Sequence, residues 1–381
     1  MAISSRNFYN NKQYEVRLYR ERQIVGNLGK LAREISWTVN RNPAIGYNEL
    51  SFKVDQLAFA KWCEGLGVDT ETIIKPIKTD CQILVKSDPE STAVCVAHGY
   101  LDAYPSIEQN GDAYDYKFTF RDQFLKLQYA SRIPNGTNYS QWYADDVVSS
   151  LIIKAQERQG TATYGFTRGN TVRLAKIDRN YTDWKPVSEA IADMLDNQTG
   201  AGKFDVWIDE NYRWNIAKPR GDVSGYLFTY PYNPANGEIP MSAMPTYSEA
   251  PELGTLFLAV GSGQGDAAIS TLSRDDSAIA EFGYVEQYGQ YSSVDNQNTL
   301  NQKANAELEN MLNPQPAPKI AVCGAFIDWN ELNVGDTVDY INNVAVGYGV
   351  SGKVRIAKIA VNVDSNNVES VTLETESLNG Q

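Results

Sequence analysis

Apolar and polar residues alternate in three early stretches: Tyr14, Val16 and Leu18; Ile35, Trp37 and Val39; then Leu50, Phe52 and Val54. A period of two puts one side-chain set on a single face, so each stretch predicts a half-buried strand. The third follows a turn at Asn42-Pro43. A short helix is expected over residues 55–64, with Asp55 as N-cap and Leu57, Ala60 and Trp62 as a loose apolar face before Gly65 and Gly67. Residues 73–129 read as the main sheet of this first unit. Ile83 and Val85 lead to Val94 and Val96, and Leu101 and Ala103 then change parity. Asn110-Gly111 precedes Tyr114, Tyr116, Phe118 and Phe120, and an Asn-Gly pair between alternating runs predicts a tight hairpin because both residues tolerate positive φ. Four aromatics at this spacing can serve as a ligand platform, but burial against a core is the commoner use.

Between residues 131 and 225 the pattern becomes mixed. Asp145-Asp146 precede Val147, Val148, Leu151, Ile152 and Ala155, an amphipathic helix stopped at Gly160. A second helix starts at Pro186 and carries Val187, Ala190, Ile191, Met194 and Leu195 on one face, with Gly200 after it. Phe204, Val206 and Ile208 then alternate, residues 209–211 turn, and Tyr212, Trp214 and Ile216 return as a hairpin. The Tyr-, Pro-, Gly- and Ser-rich stretch over 221–253 reads as a connection.

In the last third, Leu300, Ala304, Leu308, Met311 and Leu312 fall on one helical stripe over residues 296–312, and Pro314 and Pro316 forbid its continuation. Ile320 and Val322 predict a strand, and Leu332-Asn333-Val334-Gly335-Asp336 a turn into Val338. In the closing ladder Val354 and Ile356 share a face, while Ile359, Val361 and Val363 have the opposite parity. A one-residue phase change is what a bulge produces, so a bent strand in a small closed or nearly closed barrel is expected, with the bulge near Ala357-Lys358. A strand with a parity change, a tight turn and a return strand ending in a carboxylate occur twice, over 94–122 and 350–374, a weak internal duplication.

At 381 residues the chain is long for one core, which favours two to four subdomains. The best apolar run, Leu256 to Val260, is strand length, and the N-terminus lacks the apolar core of a signal peptide. The chain is therefore expected to be made and kept in a cytoplasm, or to leave it without a signal. A net charge of −13 argues against gripping nucleic-acid phosphates and suits solubility, or a surface past which DNA slides. Cys63, Cys81, Cys95 and Cys323 show no CxxC spacing and His98 is the one histidine in the sequence, so buried free thiols are expected rather than zinc ligands.

Motifs that suggest chemistry are weak. Gly261-Ser262-Gly263-Gln264-Gly265 lacks the Lys-Ser/Thr of a phosphate loop and the dinucleotide spacing, and reads as a hairpin loop. Asp275-Asp276 lacks the further acids of a metal loop and reads as a turn or helix cap. His98 sits in an alternating strand, and Arg220-Gly221-Asp222 is too short to carry an adhesion reading. Seven Trp and 23 Tyr suit protein interfaces and sheet cores alike. No catalytic, cofactor-binding or metal-binding residue is assigned. The residues singled out are structural turns: Asn110, Gly111, Gly335 and Asp336.

The order AIAEFGYVEQ, a helix rich in Ala, Asn and Glu, NPQPAPKIAV, LNVGDTVDY and a terminal hairpin ending in VTLE resembles the baseplate hub (tail tip hub) proteins of tailed bacteriophages. KFDVWIDENYRWNIAKPR similarly resembles their middle domain. The resemblance implies a mainly β, α+β fold with two small tube-forming β-barrel domains and peripheral α+β subdomains. The first barrel domain with its short helix would span 1–130, the α+β middle domain 131–225, and the second barrel domain 226–381, with an inserted helical segment over about 275–314. It further implies a structural protein of the virion tail baseplate, assembled in the host cytoplasm, with no enzymatic activity, no cofactor and no membrane segment. As a homotrimer it would form a pseudo-sixfold ring, joining the tail tube or distal tail protein to a spike or tip protein and letting DNA pass without specific binding. The last predicted strand ends shortly before Gln381, so no lytic or fibre domain is expected. Two alternatives stay open: a hexameric distal-tail adaptor, and a glycan-binding or glycan-hydrolysing tail-tip protein.

Overall fold

The computed structural model describes residues 12–378 apart from 89, 131, 159–163, 182–183, 197–202, 232–237, 248–251, 293, 313–316 and 345–350. The expected stops at Gly160, Gly200, Pro314 and Pro316 lie outside the described residues.

The N-terminal part contributes β1 (Gln13–Arg20), β2 (Gln23–Asn27), β3 (Arg33–Asn40), β4 (Glu49–Asp55), α1 (Gln56–Gly65), α2 (Thr70–Ile73), β5 (Thr79–Lys86), β6 (Val94–Leu101), β7 (Ser106–Asn110) and β8 (Ala113–Arg121). All three early alternating stretches are strands. Asp55 caps α1, its Oδ1 accepting from the Ala58 N–H at 2.8 Å. The hairpin lies at Asn110-Gly111, but Asn110 pairs with Ala113, so Gly111 and Asp112 are the central turn residues. Gly111 alone supplies the positive φ, +61°, that the first position of a II′ turn needs. Asn110 instead ends the strand and donates its amide to Asp115 Oδ2 at 3.0 Å. The aromatic stripe divides: Phe118 and Phe120 are buried and stack on Phe52 at 5.2 and 5.7 Å, whereas Tyr114 is exposed.

The middle part comprises α3 (Lys126–Ala130), β9 (Thr137–Tyr143), α4 (Ala144–Arg158), β10 (Thr167–Thr171), β11 (Lys176–Tyr181), α5 (Val187–Asp196), β12 (Asp205–Ile208) and β13 (Arg213–Ala217). The apolar stripes of α4 and α5 meet Val206, Ile208, Trp214 and Ile216 in a core of their own. Strands β9, β10 and β11 escape the periodicity argument because Thr137-Asn138-Tyr139-Ser140 and Thr167-Arg168-Gly169-Asn170-Thr171 show almost no apolar alternation.

After β14 (Val223–Tyr230), β15 (Ile239–Pro240) and β16 (Thr246–Tyr247) comes a small layer. It consists of β17 (Leu256–Val260), β18 (Ser270–Arg274), α6 (Asp276–Phe282), β19 (Glu286–Gln290) and α7 (Gln297–Met311). Helix α7 is capped by Asn296, and Leu300, Ala304 and Leu308 pack on Phe257 and Ala259. Leu300 is 0% exposed, so Leu300→Ala is expected to cost about 2–5 kcal/mol through lost burial and the cavity left behind, read as a lowered denaturant midpoint.

The chain returns through β20 (Pro318–Cys323), β21 (Thr337–Asn342), β22 (Ser351–Val363) and β23 (Glu369–Ser377). The β22–β23 register shifts between Ile356 and Lys358, placing a bulge at Ala357 where the apolar parity changes. β14 lies parallel to β21 and β15, and Met241, just after β15, bridges antiparallel to Val322 of β20. Pairing thus runs from β14 through β21, β22, β23 and β20 back towards β15. The two ends of the chain also join each other. β3 pairs antiparallel with β22 from Asn40↔Lys358 to Ile35↔Val363, giving one 15-stranded sheet. Phe52 and Phe118 from one end accordingly share a core cluster with Phe228, Ile320 and Leu373 from the other.

Candidate functional site

Among the described residues, a grouping of buried charged side chains lies where these parts meet. Asp205 opens β12 and is 1% exposed, because the middle part docks there against the end of β3 and the start of the last ladder. Its Oδ1 accepts from Asn42 Nδ2 at 2.8 Å and lies 3.1 Å from Arg41 Nη1. Its Oδ2 accepts from the Arg220 N–H at 2.7 Å and from Arg355 Nη2 at 2.8 Å. Four donors thus surround one carboxylate, the condition under which a buried anion is tolerated. Asn42 Oδ1 also accepts from the Val206 N–H at 3.0 Å, so the expected Asn42-Pro43 turn clamps β12. Glu376 completes the group, 3.2 Å from Arg41 and 3.7 Å from Arg355.

The Gly335-Asp336 turn belongs to the same place. Arg355 Nε donates to Gly335 O at 3.0 Å, and Arg355 Nη2 donates to Arg220 O at 2.6 Å. Gly335 and Gly221 cross back to back with φ of +96° and +89°. A Cβ on Gly335 would stand 2.5 Å from Arg220 O, and one on Gly221 2.2 Å from Gly335 C. Asp336 Oδ1 accepts from the Asp222 N–H at 2.9 Å and Oδ2 from the Asn333 N–H at 2.7 Å. The Arg220-Gly221-Asp222 tripeptide is therefore consumed internally, and the Arg220 guanidinium lies 4.4 Å from the Trp207 ring centre.

Burial governs the electrostatics here. It draws the Arg220 guanidinium down to about 10 against the pull of Asp205, and lowers Arg355, which neighbouring Arg41 pushes further down. It raises the carboxyls of Glu376 and Asp336, against Arg41 and Arg355 in the first case and two backbone N–H groups in the second. Every acid faces a cation or donor inside the group. The arrangement ties three segments of the chain together.

Two further buried groups tie other seams. Asp80 of β5 accepts from Lys126 Nζ and Gln123 Nε2, each at 3.0 Å, and from the Tyr212 hydroxyl at 2.8 Å. Glu369 of β23 accepts from Lys12 Nζ at 2.9 Å, the Tyr14 hydroxyl at 2.7 Å and Trp329 Nε1 at 2.9 Å. Burial raises the phenols of Tyr14, Tyr100, Tyr181 and Tyr212 above the usual value near 10. An unfolded phenol ionises near pH 10 while these stay neutral, so their stabilisation is present below pH 10 and lost as pH rises through the folded values. The lowered pKa of Lys12 and Lys126 works oppositely, but only up to the ordinary lysine value of about 10.5. Thermal melts by circular dichroism are expected to move down steeply above that pH, a buried phenol such as Tyr100 costing about 1.4 kcal/mol per pH unit.

The other motifs occupy ordinary structural positions. Asp275 caps α6, its Oδ1 accepting from the Ala278 N–H at 2.8 Å. Gly261 to Gly265 lie in the loop joining the antiparallel strands β17 and β18. His98 lies in β6 opposite Gln82. Cys63 and Cys81 are buried, Cys95 and Cys323 partly so. Beside the junction a cavity of about 120 Å³ is lined by Trp37, His98, Arg220 and Asn333, which is small for an organic ligand. Gly335 and Asp336 lie in the turn before β21, whereas no motif in the sequence singles out Asp205, Arg41 or Glu376. The legible signal is Arg355 between Val354 and Ile356, a charge flanked by apolar residues, and all three are buried.

No family model matches the chain, and no curated protein sequence does. Solved structures do match its fold. A tail protein from Neisseria meningitidis MC58 aligns over 97% of this chain and 98% of its own, at TM-score 0.62 and 10% identity. The 43 kDa tail protein of prophage MuSo2 from Shewanella oneidensis aligns over 95% and 98%, at TM-score 0.62 and 13% identity. A chain of the Francisella PdpA–VgrG complex aligns over 98% of this chain but 55% of its own, at TM-score 0.56 and 9% identity. The chain thus has the mainly β, α+β fold seen in these tail proteins.

Proposed function

We propose that the chain is a structural baseplate hub subunit of a phage tail, and that three copies form a pseudo-sixfold ring. The ring would join the tail tube or distal tail protein above to the spike or tip protein below, with a channel through which DNA passes. The observation that carries this reading is the fold likeness to tail proteins along nearly the full length of both chains. The two ends of the chain, 1–130 and 226–381, supply the two barrel domains of each subunit, with the middle domain over 131–225 beside them. The return of pairing from β20 towards β15 supports the second of these.

A buried ionic junction fits a part that must stay rigid under force, and the self-paired acids and bases fit a role without catalysis. The net charge of −13 suits a channel that does not retain DNA. A hexameric distal-tail adaptor would need one barrel per subunit, which the paired halves of this sheet disfavour. Two experiments test the reading. Electron-microscopic averages of the purified chain should give threefold rings with a central hole, and sixfold averages would favour the adaptor. Incubation with host cell wall should release no sugar; turnover would defeat the structural role.

A further inference from the structure

Part of the large sheet is repeated in its two halves, although β1 runs antiparallel to β5 whereas β14 runs parallel to β21. β5 pairs with β6, β6 and β7 with β8, and β8 with β4. In the other half β21 pairs with β22, β22 with β23, and β23 with β20. β16 is then antiparallel to β20 as β3 is to β4. The cross-strand partners Phe52↔Phe118 and Ile320↔Leu373 fix the correspondence. Counting along the registers from them, Ser36 and Trp37 of β3 match Thr246 and Tyr247 of β16, and Val361 of β22 matches Ile107 of β7.

The pairing of β3 with β22 has no counterpart within the chain. β22 carries β23 on one edge; its other edge carries β21 along its first half and β3 along its second, where Val361 lies opposite Trp37. β6 carries β5 on the corresponding edge, but its continuation β7 pairs, among the described residues, only with β8. Ile107 on that strand is 63% exposed, and the diagonally placed Tyr114 is exposed as well. An open strand edge with a β-branched apolar residue invites another strand.

We propose that the outer edge of β7 receives β16 of a second copy of this chain, antiparallel, with Ile107 opposite Tyr247 of the partner subunit. This places Glu108 opposite Thr246 of the partner subunit, as Asn362 lies opposite Ser36 within the chain. The donor and acceptor edges differ, so the contact is head-to-tail and generates a ring if the rotation closes. That it closes at three copies rests on the hub reading; the strand pairing itself rests on the repeat.

Antiparallel partners hold their Cα atoms about 4.5–5.5 Å apart, within the range a disulfide spans. The full-length Ile107→Cys/Tyr247→Cys variant, oxidised with copper phenanthroline, is expected to give reducible oligomers on a denaturing gel, ending at a covalent trimer. Each single variant should stay at the monomer position. Ile107→Asp should shift the solution mass from trimer to monomer while the far-ultraviolet spectrum is kept. A wild-type trimer whose double variant does not cross-link, or an Ile107→Asp protein that stays trimeric, overturns the β7–β16 pairing and leaves the hub reading standing. A wild-type monomer without cross-links overturns both.

Discussion

Asp205→Ala is expected to lower the stability of the chain by about 3–5 kcal/mol, the cost of stranding a buried cation. The Arg355 side chain is 3% exposed and loses its carboxylate, while the Arg220 N–H and Asn42 Nδ2 lose an acceptor. Glu376 is the remaining nearby acid, but its 3.7 Å separation from Arg355 is beyond hydrogen-bond range. Asp205→Asn keeps the shape and part of the hydrogen bonding, so it should fall between wild type and alanine. A paired Asp205→Leu/Arg355→Met replacement removes both charges and should recover much of the loss, since breaking a buried pair costs more than replacing it. Guanidinium unfolding of the four proteins measures this. A change below about 1 kcal/mol in Asp205→Ala would mean that the junction is hydrated or loosely made.

Gly335→Ala is expected to cost about 2–5 kcal/mol, combining left-handed backbone strain with overpacking. Gly335 has φ +96°, and its Cβ would stand 2.5 Å from the Arg220 carbonyl, a main-chain atom that cannot rotate away. Gly221→Ala meets the same crossing from the other side and should behave alike. Gly111→Ala is the control, because Gly111 has φ +61° but nothing within 4 Å of a Cβ. It should show only the conformational part, about 1 kcal/mol. Equal losses at Gly111 and Gly335 would show that the β-turn crossing is not tightly packed. A selective loss at Gly335 would place the turn in the same cooperative unit as the Asp205 junction.

What was legible in the sequence followed from periodicity and local chemistry. α7 was visible because Leu300, Ala304 and Leu308 repeat at helical spacing, and the bulge at Ala357 because a strand cannot change apolar parity otherwise. Asp55 and Asp275 were readable as caps because capping is decided within three residues. β9, β10 and β11 were not readable, since their polar sequences carry no period and pairing alone makes them strands. The ionic junction was hidden for another reason. Arg41, Asp205, Arg220, Arg355 and Glu376 come from separate segments of the chain, and all but Arg355 look locally like surface charges. The pairing of β3 with β22 brings Arg41 to Arg355 and Glu376, and docking of the middle part adds Asp205 and Arg220.

Light scattering on a sizing column tests the central claim most directly. A symmetric hub predicts one species at three times the 42.4 kDa chain mass, at ordinary salt and without partners. A hexamer, or a monomer that stays monomeric as concentration rises, would contradict it.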